Sequence, residues 1–421
     1  MYPRFSLVRR LLAVALLPIV ASGWPIGGYA APTPTADPAP LILVSIDGYR
    51  ADYLDRGHSP VLAGLAADGV RAAGMRPVFP SLTYPNHYTL VTGLYPDQHG
   101  VVNNTMHDPV LGNFSPPSRS ANTDGRWWDE AEPIWVTAQK QGLRTASVFY
   151  PGTQAEIHGV RPLYWQLFDA SVPPDARVDQ VLAWLDLPPG QRPTFVSLYF
   201  EQVDVAGHFY GPDSLQVDEA IVTVDAAMGR LVAGLRRRNV FDTTNIVVVS
   251  DHGMSATSPD RMVFLDQFVK MEHIELWSSI VNVGIDPKPG YAAEVERALL
   301  ASHPHLQCWK KENLPGKFHY GHNERIPAIQ CVADDGWMVS TTATESKRTH
   351  PLLGEHGYDI DSPKMRALFV AHGPSFKENA TVPVFDNINV YALLTKLIGV
   401  KPLRNEGSAA ATAGMLRTRG K

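Results

Sequence analysis

Apolar residues fall into two alternating patterns along this chain. Short unbroken runs rich in branched residues are followed by longer stretches in which apolar positions recur every three to four residues. The first run, Leu41-Ile-Leu-Val-Ser-Ile46, is bounded by Pro40 and by Asp47-Gly48. A short run that is apolar throughout reads as a strand buried on both faces of a parallel sheet. Further runs of this kind cover 70–78, 143–149, 194–200, 245–250 and 367–371. Helical patterns cover 59–68, stopped by Gly69, and also 132–140, 175–185, 213–238 and 387–398. In the longest of these, Ile221, Val224, Met228, Leu231, Val232 and Leu235 follow a period near 3.6. Strands alternating with helices predict an α/β fold, with a mostly parallel central sheet covered by helices on both faces.

Segment 262–349 breaks the alternation and carries both cysteines. It reads as a lobe inserted before the last candidate ligand. The chain has 421 residues, 44% of them hydrophobic, enough for one large catalytic unit over 41–405. A net charge of −5 supplies no basic footprint for a nucleic-acid polymer. Arg4, Arg9 and Arg10 precede an apolar core over 11–21 and small residues up to Ala30 and Ala31. This is the layout of a secretory signal peptide over 1–31, followed by a Pro-rich linker over 32–40. The core falls short of the ~20 residues that span a bilayer, so no stable membrane anchor is expected after cleavage, an uncleaved anchor being the alternative. An exported, periplasmic or secreted chain with an isolated pair, Cys308 and Cys331, is expected to close one disulfide, two buried thiols being the alternative. The tail over 406–421 reads as disordered.

The chemistry-bearing residues sit at the ends of these elements. Asp47 ends the first strand. Asp204 and His208, four apart, share a face if their segment is helical. Asp251 and His252 follow a buried strand and precede Gly253, and His356 lies between Gly354-Glu355 and Gly357. Carboxylates and imidazoles are oxygen and nitrogen ligands for zinc, and these six suffice for two ions with three protein ligands each. Ser81 and Thr83 are hydroxyls ahead of an apolar run that starts a helix, where an anionic phosphoryl group is favoured. Metal coordination would make either a competent nucleophile. His87, His99 and His107 read as structural.

The strings SIDGYR, FPSLTYPNHYTLVTGLYPDQHGVVNN, DVAGHFYGP, SDHGM and GEHGYD resemble the nucleotide pyrophosphatase/phosphodiesterase family of the alkaline phosphatase superfamily, over nearly the whole chain from Leu41. The resemblance implies an alkaline phosphatase-like fold and two Zn²⁺. One would be held by Asp204, His208 and His356, the other by Asp47, Asp251 and His252, with Thr83 as the nucleophile facing the second. It places the phosphate-binding asparagine on Asn104, with Asn103 beside it. It also implies an aromatic slot for a nucleobase formed by Tyr84, Tyr199, Phe168 and Tyr150.

The expected reaction is attack of Thr83 on a phosphodiester or pyrophosphate bond of a nucleotide, through a phosphothreonine, releasing a nucleoside 5′-monophosphate. No Arg or Lys lies in 79–94 to hold a second free oxygen charge, which favours diesters over monoesters. The expected partner is a small nucleotide or related diester, and the chain is expected to be a monomer. Two alternatives stand beside this reading. One is a lipid-headgroup diesterase of the same family, taking glycerophosphocholine-like substrates in an aromatic box. The other is an inactive metal-binding periplasmic protein.

Overall fold

A computed structural model describes residues 39–278 and 280–418; the signal peptide expected over 1–31 and the linker as far as residue 38 lie outside the described residues. The chain enters the main sheet at β1 (Leu41–Ile46), whose residues are all buried. Side chains alternate between the faces of a strand. Leu41 and Leu43 therefore join one apolar cluster, with Val247, Val249 and Phe369, while Ile42, Val44 and Ile46 join a second, with Val196, Leu198 and Val248. Burial on both faces is why β1 is apolar throughout rather than at alternate positions.

The main sheet continues with β2 (Val70–Ala72), β3 (Thr145–Val148), β4 (Tyr164–Trp165), β5 (Phe195–Phe200) and β6 (Asn245–Val249). A separate small sheet follows, made of β7 (Ile274–Ser278), β8 (Asn282–Pro287), β9 (Leu306–Lys310) and β10 (Ile329–Ala333). Then β11 (Phe369–His372) and β12 (Ala380–Val382) return to the main sheet. Its strand order is β12-β2-β11-β6-β1-β5-β3-β4. Only β11 runs antiparallel to its neighbours; the other pairings in this sheet are parallel.

Helices α1 (Pro60–Ala67), α2 (Thr83–Thr92), α3 (Ile134–Lys140), α4 (Pro174–Leu185), α5 (Gln202–Tyr210), α6 (Leu215–Arg237) and α7 (Val390–Ile398) cover the two faces. Apolar residues of α2, α3 and α7 join the first cluster; those of α1, α4, α5 and α6 join the second. The periodic residues Ile221, Val224, Met228, Leu231 and Leu235 of α6 are fully buried. Each such burial stabilises by about 1.5–3 kcal/mol. The helix is started by Ser214, whose Oγ accepts from the Val217 amide at 3.3 Å.

Three expectations shift. The run 70–78 splits into β2 and a two-residue bridge strand, Met75–Arg76. Gly74 between them lies against the Arg366 side chain, and Pro77 removes a ladder donor. The helix expected over 132–140 starts at Ile134, because Pro133 keeps extended backbone at its cap. The tail from 406 is not disordered within the described residues. It forms a short helix, Ala409–Thr412, and buries Met415 and Leu416, the latter bridging to Phe376. Two apolar anchors lie just beyond the alanines that made the segment look unstructured.

The segment 262–349 forms the antiparallel sheet β7-β8-β10-β9 with its own apolar cluster, including Ile274, Val283, Ile285, Val295, Leu299 and Ile329. Cys308 and Cys331 face each other across β9 and β10, and their sulfurs are bonded at 1.94 Å.

Candidate metal centre and active site

Three adjacent parallel strands deliver their next residues to one edge of the sheet. β1 is central, β5 and β6 flank it, and Ile46 is level with Phe200 while Ser45 is level with Val249. Asp47 therefore emerges between the start of α5 and Ser250-Asp251-His252. This carboxyl edge is where open α/β sheets bind ligands. On α5, Asp204 and His208 share a face, with Nε2 of His208 3.4 Å from the Asp204 carboxylate. Asp204 packs directly on Gly48, where a Cβ would come within 2.9 Å of it. His356 arrives from a two-residue strand, Gly354–Glu355, that pairs with Ser255–Ala256 just after His252.

All six expected ligands converge. His252 Nε2 lies 2.8 Å from Asp251 and 3.5 Å from Asp47, and His356 Nε2 lies 3.7 Å from Asp204. The His252 and His356 rings stack at 3.6 Å. Asp204, His252 and His356 offer donor atoms within 4.8 Å of one another, as do His208, Glu355 and His356, and Asp47, His87 and Asp251. His252 thus stands between the two halves of the site rather than with one alone.

The donor set fits divalent ions. Nδ1 of His208, His252 and His356 each faces a backbone carbonyl, of Gly354 at 2.9 Å, Gly253 at 2.9 Å and Ser81 at 3.0 Å. Donation from Nδ1 fixes the tautomer and leaves the Nε2 lone pairs for the centre. Asp47 Oδ1, Asp204 Oδ1 and Asp251 Oδ2 are buried without a hydrogen-bond partner among the described residues. A buried carboxylate oxygen left bare is costly unless a cation meets it.

Electrostatics agree. Burial pushes Asp47 well above the carboxylate range, and the Asp251 and Asp204 charges push the same way. Burial also opposes ionisation of Asp204 and Asp251, but neighbouring histidines outweigh it, taking Asp204 down to about 2 and Asp251 lower. Burial lowers His356 to about 3. For His208 burial is outweighed by Glu355 and Asp204, which raise it. Acids and imidazoles packed this closely compete for protons, a competition that a bound divalent ion would relieve.

Thr83 opens α2, with its Oγ1 3.3 Å from His252 Nε2. The other candidate hydroxyl, Ser81, is fully buried and donates to the Tyr358 carbonyl at 2.7 Å, which removes it from the centre. Asn104 accepts from the Tyr84 amide at 2.8 Å through Oδ1, which holds its side chain at the head of α2 next to Thr83. Asn103 instead donates to Asn282 in the small sheet.

The expected aromatic slot is corrected in two places. Tyr150 is fully buried, with its hydroxyl donating to the His87 carbonyl at 2.8 Å. Tyr199 donates to Asp47 Oδ2 at 2.6 Å, so it holds a candidate ligand rather than offering a free wall. Both lie on or after strands whose apolar neighbours draw them into the core. Tyr84 packs edge-on against Phe114 at 5.3 Å and donates to Asn122, yet stays only partly buried. Phe168 is 37% exposed and sits edge-on to Tyr199 at 6.3 Å.

Two contributors were missed. His87, one turn after Thr83, approaches the Thr83 carbonyl at 2.8 Å and Asp251 at 3.5 Å through Nδ1, and Ser45 at 2.8 Å through Nε2. The four-residue spacing from Thr83 was the available signal. Glu355, adjacent to His356, reaches His208 Nδ1 at 3.3 Å. His99 and His107 stay outside the centre, bonded to Thr89 and Asn113.

Residues 41–359 match the family described as type I phosphodiesterase / nucleotide pyrophosphatase. The chain belongs to this family of phosphoric diester hydrolases. This phosphodiesterase is 38% identical over 391 residues to an uncharacterized pyrophosphatase/phosphodiesterase of Schizosaccharomyces pombe, covering 90% of this chain and 81% of that one. It is 37% identical to a venom phosphodiesterase of Crotalus durissus collilineatus, covering 90% of this chain and 46% of that protein. Against ectonucleotide pyrophosphatase/phosphodiesterase family member 3 of Rattus norvegicus the identity is 36%, with coverages of 90% and 44%. The phosphodiesterase thus spans just under half the length of those two relatives. The solved structure of murine ectonucleotide pyrophosphatase/phosphodiesterase 5, an inactive threonine-to-alanine variant in complex with AMP, superposes with a TM-score of 0.86 at 36% identity, covering 90% of this chain and all of that one. The fold is alkaline phosphatase-like.

Proposed function

We propose that this phosphodiesterase is an exported, monomeric two-zinc hydrolase that cleaves phosphodiester and pyrophosphate bonds of nucleotides and releases nucleoside 5′-monophosphates. The observation that carries the reading is Thr83 Oγ1 at the head of α2, 3.3 Å from an imidazole of a buried centre with three unpartnered carboxylate oxygens. The inactive threonine-to-alanine variant of the murine relative, and the AMP bound to it, support both nucleophile and substrate class. Asp204, His208 and His356 would hold one ion, and Asp47, Asp251 and His252 the other. When bound, two such ions supply charge neutralisation at the phosphoryl group and at the entering and leaving oxygens.

Thr83 Oγ1 forms the bond to phosphorus as the leaving oxygen departs on the opposite side. The resulting nucleotidyl-threonine ester is then opened by water, which releases the nucleoside 5′-monophosphate and returns a proton to Oγ1. Asn104 Nδ2 holds a non-bridging oxygen through both steps, and Phe168 and Tyr84 offer aromatic surface to the nucleobase. Export is supported by the charged-then-apolar pattern before residue 31 and by the Cys308–Cys331 bond.

The test compares kcat/KM on a nucleoside 5′-monophosphate aryl ester, a simple aryl diester, an aryl monoester and a choline diester, with zinc content measured on the same sample. The nucleotide ester is expected to be fastest, and Thr83→Ala is expected to lower turnover by more than about 10³-fold with zinc retained. A faster monoester or choline diester, or unchanged turnover in Thr83→Ala, overturns the reading.

A further inference from the structure

The three histidines of the centre are not held alike. His252 and His356 turn Nδ1 only to a backbone carbonyl, of Gly253 and Ser81. His208 turns Nδ1 to the Gly354 carbonyl and also meets the Glu355 carboxylate at 3.3 Å. Glu355 is only 5% exposed, and among the described residues the nitrogen it meets at ion-pair distance is His208 Nδ1. A carboxylate withdrawn from water costs several kcal/mol unless a positive group faces it. Here the nitrogen that faces it belongs to an imidazole whose other nitrogen looks into the candidate metal centre.

The surroundings grip His208 from one side. Leu353 donates its amide to the His208 carbonyl at 2.8 Å, Gly354 accepts from the ring, and Glu355 follows. Gly354 itself is wedged against α5, where a Cβ would stand 2.3 Å from the Gly207 oxygen. Three consecutive residues thus fix the backbone, ring plane and charge of the most exposed histidine of the set, whose side chain is 22% accessible. In the other half, Asp47 and Asp251 face the opposite situation. Their outer oxygens are held by neutral donors rather than by a further carboxylate, Tyr199 on Asp47 and the Gly48 amide and Ser250 on Asp251.

Resting on the two-metal reading above, we infer that Glu355 is a positioning residue acting through His208, and that it makes the position of Asp204, His208 and His356 the tighter of the two. A carboxylate on the far nitrogen orients the ring, raises the donor strength of Nε2 and adds a negative charge near the ion, effects together worth about 10–100-fold in affinity.

The test titrates zinc into the chelator-stripped full chain against a competing metal indicator. Wild type is expected to fill in two stages, and Asp47→Asn to keep the tighter one. Glu355→Gln, which preserves shape and removes charge, is expected to weaken the tighter stage by about 10–100-fold and leave the other unmoved. Glu355→Asp, which restores the charge on a shorter stem, is expected to recover part of that loss. With Co²⁺ in place of zinc, Glu355→Gln is expected to shift the visible absorption of one site only. If Glu355→Gln does not fold, judged by circular dichroism of the stripped chain, Glu355→Asp carries the test and must still weaken the tighter stage. A two-ion wild type whose Glu355 variants bind equally well, or lose only the weaker stage, overturns the inference alone. A wild type that takes up no zinc overturns the two-metal reading and the inference with it.

Discussion

Replacing Tyr199 by Phe removes one hydroxyl and keeps a ring packed edge-on to His87 and Phe168, at centroid distances of 5.3 and 6.3 Å. The hydroxyl donates to Asp47 Oδ2 at 2.6 Å, in a place where both groups are buried. A hydrogen bond to a buried charged group contributes about 1.5–3 kcal/mol. At about 1.4 kcal/mol per tenfold, its loss should weaken metal binding at the Asp47, Asp251 and His252 position by roughly 10–150-fold. Oδ1 of Asp47, which has no other partner, would then face the ion from a carboxylate free to rotate. The measurement is zinc affinity by chelator competition, together with kcat/KM as a function of added zinc. Activity should return towards wild type once zinc saturates the weakened position, because nothing that touches substrate has changed. Affinity within twofold of wild type would refute the argument. So would a loss of kcat/KM that excess zinc does not restore, which would return Tyr199 to the substrate slot.

Gly354→Ala places a methyl group 2.3 Å from the Gly207 oxygen, so α5 must move by close to an ångström and carry Asp204 and His208 with it. A displacement of that size is expected to lower kcat/KM by about 10²-fold, and unchanged kinetics would refute the wedge. His99 provides a pH signature away from the candidate metal centre: it is fully buried, and burial holds its imidazole down at about 3. The fold keeps it neutral while the unfolded chain takes up a proton, so its contribution is intact above about pH 6.5 and is lost towards pH 3, at up to about 1.4 kcal/mol per pH unit. His99→Asn is expected to flatten the fall in urea-unfolding free energy between pH 7 and 4.5 by close to one proton, measured with chelator present; an unaltered slope would refute the assignment.

Much of the fold was legible because its signals are local. A run such as Leu41–Ile46, apolar at every position, has few destinations other than a strand covered on both faces, and the 3.6-residue stripe of α6 leaves little doubt about helix or buried face. The strand ends marked by Asp47 and Asp251-His252 were legible for the same reason, since ionisable residues directly after a buried strand emerge at its edge. The family strings, carried in order along most of the chain, named the chemistry.

Other features depended on which side chains meet across the fold, and no local pattern holds that information. Ser81 and Thr83 are equivalent hydroxyls in the sequence; only the Tyr358 carbonyl, 277 residues away, takes Ser81 out of the centre. Tyr150 and Tyr199 look like exposed slot aromatics until the His87 carbonyl and the Asp47 carboxylate claim their hydroxyls. The contact of Glu355 with His208 arises because a two-residue strand, paired with Ser255–Ala256, lays it beside a helix that begins 153 residues earlier. Residue types and their spacing determined the layers of this protein and its reactive groups. Long-range packing decided which of those groups face the candidate metal centre, because burial and hydrogen-bond partners belong to the assembled sheet edge rather than to any one segment.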